Sequence, residues 1–426
     1  MSAPQAVSTA RQPVRAAATA ALGVLRQPRL VVFGPGERRR LPGLVAEIAR
    51  HLLVVTDERM ATTAQFREIV AGIEEAGVSV SVFAETEPEL PRENVMDVVS
   101  RFGTAAVDAV LGIGGGSCMD LAKVASAVLA HGGDVSEYYG EFLVPGPGLP
   151  VFTVPTTAGT GAEVTCIAVV FDRDRGMKLG VASPHLEAYA AVIDPELTLS
   201  SPPGLTAATG ADALSHLVET FTDRVKDVTP GFLQKHLYIG KNPLTDIFAR
   251  NGLALLNRSL EAVVADPLDL EARSATMMAA YNAGMAINTA GTAGCHAIQS
   301  PIGALTHTPH GFGVGALLPY VMRYNLPERV AEFAELGRLL GVADPAAAPI
   351  EQAHAGILRI EALLEAVGCP LDLDTLGLSP RDFGFVADQA LLATRLTANN
   401  PRELSREGIL EILERGHAGD RSWWTV

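Results

Sequence analysis

Four residues in two distant segments carry the chemistry open to this chain: Asp212 and His216 in GADALSHLVETF, His296 and His310 in CHAIQSPIGALTHTPHG. The first segment has helical spacing, and residues four apart on a helix project from one face. The second pair brackets a stretch punctuated by proline and glycine. Three neutral imidazoles and one carboxylate would complete the protein shell of a divalent transition metal such as Zn2+ or Fe2+. If the four converge, the metal can polarise an oxygen. If they do not, the chain is a generic nucleotide-binding α/β protein.

Other residues are suited to holding a nucleotide. Gly114-Gly115-Gly116-Ser117 follows an apolar strand and opens a helix that carries Asp120 and Lys123 in its first turns. Glycines leave backbone N–H groups open at a helix N-terminus, where the dipole favours a pyrophosphate. A plain strand-to-helix turn is the alternative, and the pattern is not GxGxxG. Asp57 ends the strand-like LLVVT. There a carboxylate can accept from ribose hydroxyls and repel a 2′-phosphate, which favours NAD over NADP; it can equally cap a helix. The loop Pro155 to Glu163 (PTTAGTGAE) offers hydroxyl and backbone donors to phosphate or ribose, and Lys178 follows it.

The elements that must position these groups change character along the chain. Apolar runs at 30–33, 52–56, 78–83, 109–113 and 151–154 alternate with helical patterns such as 64–76 and 95–102. That alternation predicts a mostly parallel sheet covered by helices on both faces. Beyond about Ser200 strand signals stop, and helices are expected over 210–222, 246–265, 270–290, 350–367 and 380–396. The reading divides the chain into a flexible extension over 1–28, an α/β nucleotide domain over 29–200 and a helical metal and substrate domain over 201–426.

Bulk properties narrow the partners. A chain of 426 residues suggests two cores, and its 48% hydrophobic content argues against extended disorder. The formal charge of −15 gives no basic footprint for nucleic acid or an anionic membrane. Cys118, Cys166, Cys295 and Cys369 are scattered without a CxxC pair, as in a cytoplasmic protein with reduced thiols. No apolar run reaches membrane-span length. The first 28 residues hold arginines and hydroxyl residues but no acid, the composition of a mitochondrial transit peptide and equally of a bacterial extension.

Taken together, GGGSCMDLAK, VPTTAGTGAEVT, ATGADALSHLVETF and CHAIQSPIG…THTPHGFGVGALLPYVMRYN closely resemble the iron-containing (group III) alcohol dehydrogenases, in order from Leu30 to Ala418. The resemblance implies a dehydroquinate synthase-like architecture: an α/β nucleotide domain facing an all-helical domain across a cleft. It implies Asp212, His216, His296 and His310 as ligands of Fe2+, with Zn2+ as the other choice. It places Gly114 to Ser117 at the pyrophosphate of NAD, with Asp120 close by, Asp57 at the ribose, and Thr156, Thr157, Thr160 and Lys178 along the cofactor.

The implied activity is reversible hydride transfer between a small alcohol and NAD by a homodimer or larger homo-oligomer. The alternatives are a hydroxyacid–oxoacid transhydrogenase, or a reductase of a carboxylate- or phosphonate-bearing aldehyde. One departure bears on mechanism: Ser300 stands where many members of this family carry a histidine, four residues after the third ligand. Its hydroxyl can pass a proton but is a poor base; His307, on the loop before His310, is either its substitute or a plain exposed loop histidine. The basic cluster Lys235, His236 and Lys241 reads as a solvated turn or subunit contact, or as a site for an anionic substrate group.

Overall fold

The computed structural model describes residues 22–426. Among them nine strands follow in chain order: β1 Leu30–Phe33, β2 His51–Val55, β3 Ser79–Phe83, β4 Ala109–Gly114, β5 Gly140–Glu141, β6 Val151–Pro155, β7 Ile167–Asp172, β8 Met177–Ala182 and β9 Ala190–Ile193. Six form one sheet in the order β1-β9-β6-β4-β2-β3, parallel throughout. The other three form a small sheet, β5-β8-β7, in which β7 and β8 are antiparallel.

The apolar runs explain the layering. Successive side chains of a strand point to opposite faces. Leu53 and Val55 of β2 therefore pack with Val95, Val98 and Leu121, from α4 (Arg92–Phe102) and α5 (Gly116–His131). Leu52 and Val54 face the other way, onto α1 (Leu41–Ala46) and α3 (Ala64–Glu75), α2 being the short Glu58–Ala61. Strand β4 is buried at every position, as the central strand of a doubly covered sheet must be.

The second half is helical: α6 Pro203–Thr222, α7 Pro243–Ala265, α8 Leu270–Ala290, α9 Gly294–Thr306, α10 His310–Leu339, α11 Pro349–Ala366, α12 Phe383–Leu392, α13 Thr394–Asn399 and α14 Arg406–His417. These helices share one large apolar core. The proline- and glycine-punctuated stretch after His296, assigned no element from sequence, is helix α9, which continues through Pro301 although that residue has no N–H to donate. One expected helix needs correction. The single helix expected over 380–396 is broken into a 3-10 turn, α12 and α13.

Residues 22–28 have no regular structure yet are held in place. Arg26 Nη1 donates to the Leu237 carbonyl (2.7 Å), and Asn288 Nδ2 donates to the Arg26 carbonyl (2.9 Å). The rest of the expected flexible extension, residues 1–21, lies outside the described residues. All four cysteines are free and buried. Among the described residues no helix is long and apolar enough to cross a membrane.

Two contacts press the domains together. Gly161, in the PTTAGTGAE loop with φ of 64°, meets Gly284 of α8 so closely that a Cβ on Gly284 would lie 2.6 Å from the Gly161 carbonyl oxygen. Nearby on α8, Asn288 ties three segments: its Oδ1 accepts from the Cys166 N–H (2.8 Å), and its Nδ2 donates to the Arg26 carbonyl and to Glu187 Oε1 (3.1 Å). Burial pushes the Glu187 carboxyl up to about 7, with the Asn288 amide opposing it. A carboxyl with a raised pKa in the fold binds its proton more tightly there than in the unfolded chain. Its stabilising share is therefore complete below the ordinary carboxylate range and is lost as pH rises through about 7. Glu187→Gln keeps the acceptor and removes the charge. It should raise Tm relative to the parent at about pH 8 and by clearly less at about pH 5, as scanning calorimetry would read; equal shifts at both would disprove the assignment.

Candidate functional site

Helix α6 is buried over most of its length, so its polar residues must find partners inside the protein. Asp212 and His216 stand one turn apart on it, and His296 arrives from α9. His310 is the first residue of α10, and the next residue lets that helix end press on α6. A Cβ on Gly311 would lie 1.8 Å from the Ala208 carbonyl oxygen, a contact only glycine permits.

The result is a convergence on one oxygen. Asp212 Oδ1 lies 3.6 Å from His216 Nε2, 3.7 Å from His296 Nε2 and 3.5 Å from His310 Nε2. Ligands about 2.0–2.1 Å from a tetrahedral metal stand roughly 3.4 Å apart, so the spacing matches a metal shell about to be filled. The donor atoms of Asp212, His296 and His310 all fall within 4.8 Å of one another. Asp212 Oδ1 and His296 Nε2 are buried without a hydrogen-bond partner among the described residues. Buried polar atoms are rarely left so, and these aim at a shared point.

The far sides of two imidazoles are fixed. His296 Nδ1 meets Glu219 Oε2 at 2.5 Å, while Glu219 Oε1 accepts from the Cys295 N–H (2.7 Å). His310 Nδ1 meets Gln299 Oε1 at 2.7 Å. An acceptor at Nδ1 puts the proton there and leaves the Nε2 lone pair free for a metal. Burial pushes the Asp212 carboxyl up, but the imidazoles of His216, His310 and His296 outweigh it and hold the group below the usual carboxylate range. Burial also pushes His216 and His310 down, towards the neutral donors a metal needs. His310 keeps one face open, its side chain 38% exposed at the cavity. His296 is opposite in sign: Glu219 and Asp212 overcome its burial and raise it to about 9. The spot between these two carboxylates therefore demands positive charge.

Glu219 and Gln299 were not expected from the sequence, although a signal was there. Glu219 lies seven residues after Asp212 and three after His216 on the same helix face, and Gln299 lies three residues after His296.

The quartet opens onto a cavity of about 670 Å3 between the two domains. On its other wall are Gly116, Ser117, Thr160 and Lys178. Gly115 is the N-cap of α5 and offers no side chain, so the first N–H groups of that helix face the cleft as anion donors. Asp57 fulfils its alternative reading, capping α2 through Oδ1 to the Met60 N–H (2.8 Å); its Oδ2 lies 3.9 Å from Cys118 Sγ, beside the glycine turn. Gly114, Gly115, Thr156 and Thr157 sit behind the cavity wall, and Thr156 is buried.

Four expected contributions are committed to other partners or lie off the cavity. Asp120 reaches the cavity, but Oδ1 accepts from Lys123 (3.1 Å) and Oδ2 from the Val169 N–H (2.9 Å). Lys123 is fully buried and also donates to the Thr165 and Ile167 carbonyls, so it joins α5 to β7 and leaves the phosphate turn alone. Lys178 is in the cavity wall, paired with Glu89 at 2.8 Å. The cluster Lys235, His236 and Lys241 does not line the cavity: Lys241 is paired with Asp246 (2.7 Å), and the other two are exposed. Ser300 and His307 do line it, His307 at the end of α9 with φ of 54°.

With this geometry established, the known proteins that match the chain can be set beside it. The family model described as iron-containing alcohol dehydrogenase matches residues 28–195, and that for the C-terminal part of the Fe-containing alcohol dehydrogenase family matches residues 206–416. The NAD-dependent methanol dehydrogenase of Bacillus methanolicus is 32% identical over 388 residues, 91% of this chain and 98% of that one. The sulfoacetaldehyde reductase of Bilophila wadsworthia is 31% identical over 370 residues, 85% and 90% of the two chains. The solved alcohol dehydrogenase from Oenococcus oeni superposes with a TM-score of 0.86 at 30% identity, covering 92% of this chain and 99% of that one. Both halves of the chain thus match one family, over residues 28–195 and 206–416, and the protein belongs to the iron-containing alcohol dehydrogenases, a family of oxidoreductases.

Proposed function

We propose that this protein catalyses reversible hydride transfer between a small alcohol and NAD, with Asp212, His216, His296 and His310 holding a divalent metal. The observation that carries this reading is Asp212 Oδ1, unpartnered and ringed by three Nε2 atoms at 3.5–3.7 Å, across one cavity from the α5 N-terminus. Fe2+, the metal of the family name, or Zn2+ would supply a Lewis acid that polarises the alcohol or carbonyl oxygen.

The chain's own residues supply the rest. Backbone N–H groups at Gly116 and Ser117 bind the pyrophosphate, and Asp57 Oδ2, which takes only a weak bond from Cys118 Sγ, accepts from the adenosine ribose and repels a 2′-phosphate. Thr160 and Lys178 face the nicotinamide half of the cofactor, with Thr156 and Thr157 supporting the loop behind. The NAD-dependent name of the Bacillus methanolicus relative agrees with an aspartate at this position. The cleft between the domains orients carbinol carbon and nicotinamide and limits water.

Proton movement falls to Ser300 and His307. Both line the cavity, and of the two only an imidazole is an effective base. His307 is exposed at the cavity mouth, so it can exchange the alcohol proton with solvent, with Ser300 relaying it from the substrate side.

Three expectations follow. His296→Ala should bind less than one metal equivalent by elemental analysis and lose turnover by several orders of magnitude. His307→Ala should keep its metal and lose roughly 100-fold, the low end of a general-base contribution; full metal and equal losses in both variants would refute the assignment. Glu219→Gln should retain the fold and weaken metal affinity about 10- to 100-fold in a chelator competition, since it removes the charge behind His296; unchanged affinity would leave Glu219 without this role.

A further inference from the structure

The charged side chains lining the cavity are met by opposite charge, with one exception. Glu89 pairs with Lys178, Asp120 with Lys123, and Asp212 with the imidazoles. Arg395, on α13, has neither an ion pair nor a hydrogen bond among the described residues, yet it lines the same cavity as His296 and His310. Its guanidinium lies over the Tyr238 ring, 4.4 Å from the centroid. Two other arginines stacked on aromatic rings spend their N–H donors as well: Arg323 over Trp424 pairs with Glu361, and Arg402 over Tyr324 donates to the Tyr324 carbonyl. Arg395 leaves its fork of donors free.

The arginine is also held. Asn399, one turn further along α13, donates to the Ala290 and Thr292 carbonyls (3.0 and 3.1 Å), which fixes α13 against the segment leading into α9 and His296. Beneath it, Lys226 Nζ donates to the Tyr238 carbonyl (3.1 Å), adding positive charge on the same side. Glu141 accepts from the Leu237 N–H (2.6 Å), next to Tyr238. Around Arg395 the wall is small or apolar: Ile287, Gly291, Thr292 and Leu396.

We infer that Arg395 is the specificity anchor of the substrate pocket and binds an oxyanion, a carboxylate or sulfonate, at the far end of a short aldehyde whose carbonyl sits at the histidine quartet. A planar guanidinium supported by a ring on one face offers paired donors to such a group. The inference rests on the proposed dehydrogenase reading and narrows its substrate class. It also moves the expected anion site. The residue of the FLQKHLYIGKN segment that lines the cavity is Tyr238, not the basic cluster, and the cation comes from a helix more than a hundred residues later.

The test compares metal-loaded parent, Arg395→Ala and Arg395→Lys in NADH oxidation with succinic semialdehyde and with pentanal, a neutral aldehyde of similar size. The parent should prefer the anionic aldehyde. In Arg395→Ala, KM for succinic semialdehyde should rise about tenfold or more while kcat changes less and pentanal is unaffected, and Arg395→Lys should recover part of the loss. A second readout needs no turnover. Calorimetric titration with butanoate and with propane-1-sulfonate, which have no carbonyl to reduce, should show binding to the parent that Arg395→Ala loses, and the two arms separate carboxylate from sulfonate. Turnover of both aldehydes with the same preference in parent and Arg395→Ala would overturn the anion site and leave the dehydrogenase reading standing. Anion binding that depends on Arg395, with no turnover of any aldehyde or alcohol, would do the reverse.

Discussion

A single carboxylate oxygen governs this molecule. Asp212 Oδ1 is buried on α6, has no hydrogen-bond donor among the described residues, and is faced by three imidazole nitrogens at nearly equal distance. Burying a carboxylate without a compensating charge costs several kcal/mol. Burial pushes His216 and His310 towards neutral donors, while Glu219 and Asp212 draw positive charge to His296, so the point between the carboxylates favours a cation. Much else follows from holding those four atoms in place: the glycine contact of α10 on α6, the Glu219 and Gln299 acceptors behind His296 and His310, and the continuation of α9 through Pro301.

The same demand explains why two domains are needed. The helical half can build a metal centre, but a hydride acceptor must lie across from it at a fixed distance. The sheet contributes the α5 N-terminus, and the Gly161–Gly284 contact sets the gap. Polar ties through Asn288 close the back of the cleft, leaving a cavity with phosphate donors at one wall and the quartet at another. The chain's negative charge adds no attraction for an anionic cofactor, so local N–H groups and cations carry that work.

The strands of the large sheet were legible where they are continuous and apolar, as in LLVV and AVLGIG, since two buried faces leave no other reading. The short β9 and the β5-β8-β7 sheet were not: AAVI is brief and alanine-rich, and β8 carries exposed-type residues among apolar ones. Helix α9 was hidden by Pro301 and its glycines, signals of interruption that the packing of the core overrides. Asp212, His216, His296 and His310 were legible by residue type, and helical spacing places the first two together. The meeting of the four is tertiary. Lys235, His236 and Lys241, readable from sequence either as a solvated turn or as an anion site, do not line the cavity. Arg395 carried no sequence signal, because an isolated arginine in a helical stretch usually points to solvent.

The central claim is that a divalent cation occupies the point shared by Asp212 Oδ1 and the three Nε2 atoms. The most direct measurement is X-ray diffraction from crystals grown with Fe2+ under anaerobic conditions, with anomalous difference maps recorded on both sides of the iron edge. One strong peak per chain is expected, vanishing below the edge and lying about 2.0–2.2 Å from Asp212, His216, His296 and His310. Iron bound elsewhere, or an ordered quartet without a peak in crystals that retain activity, would contradict it.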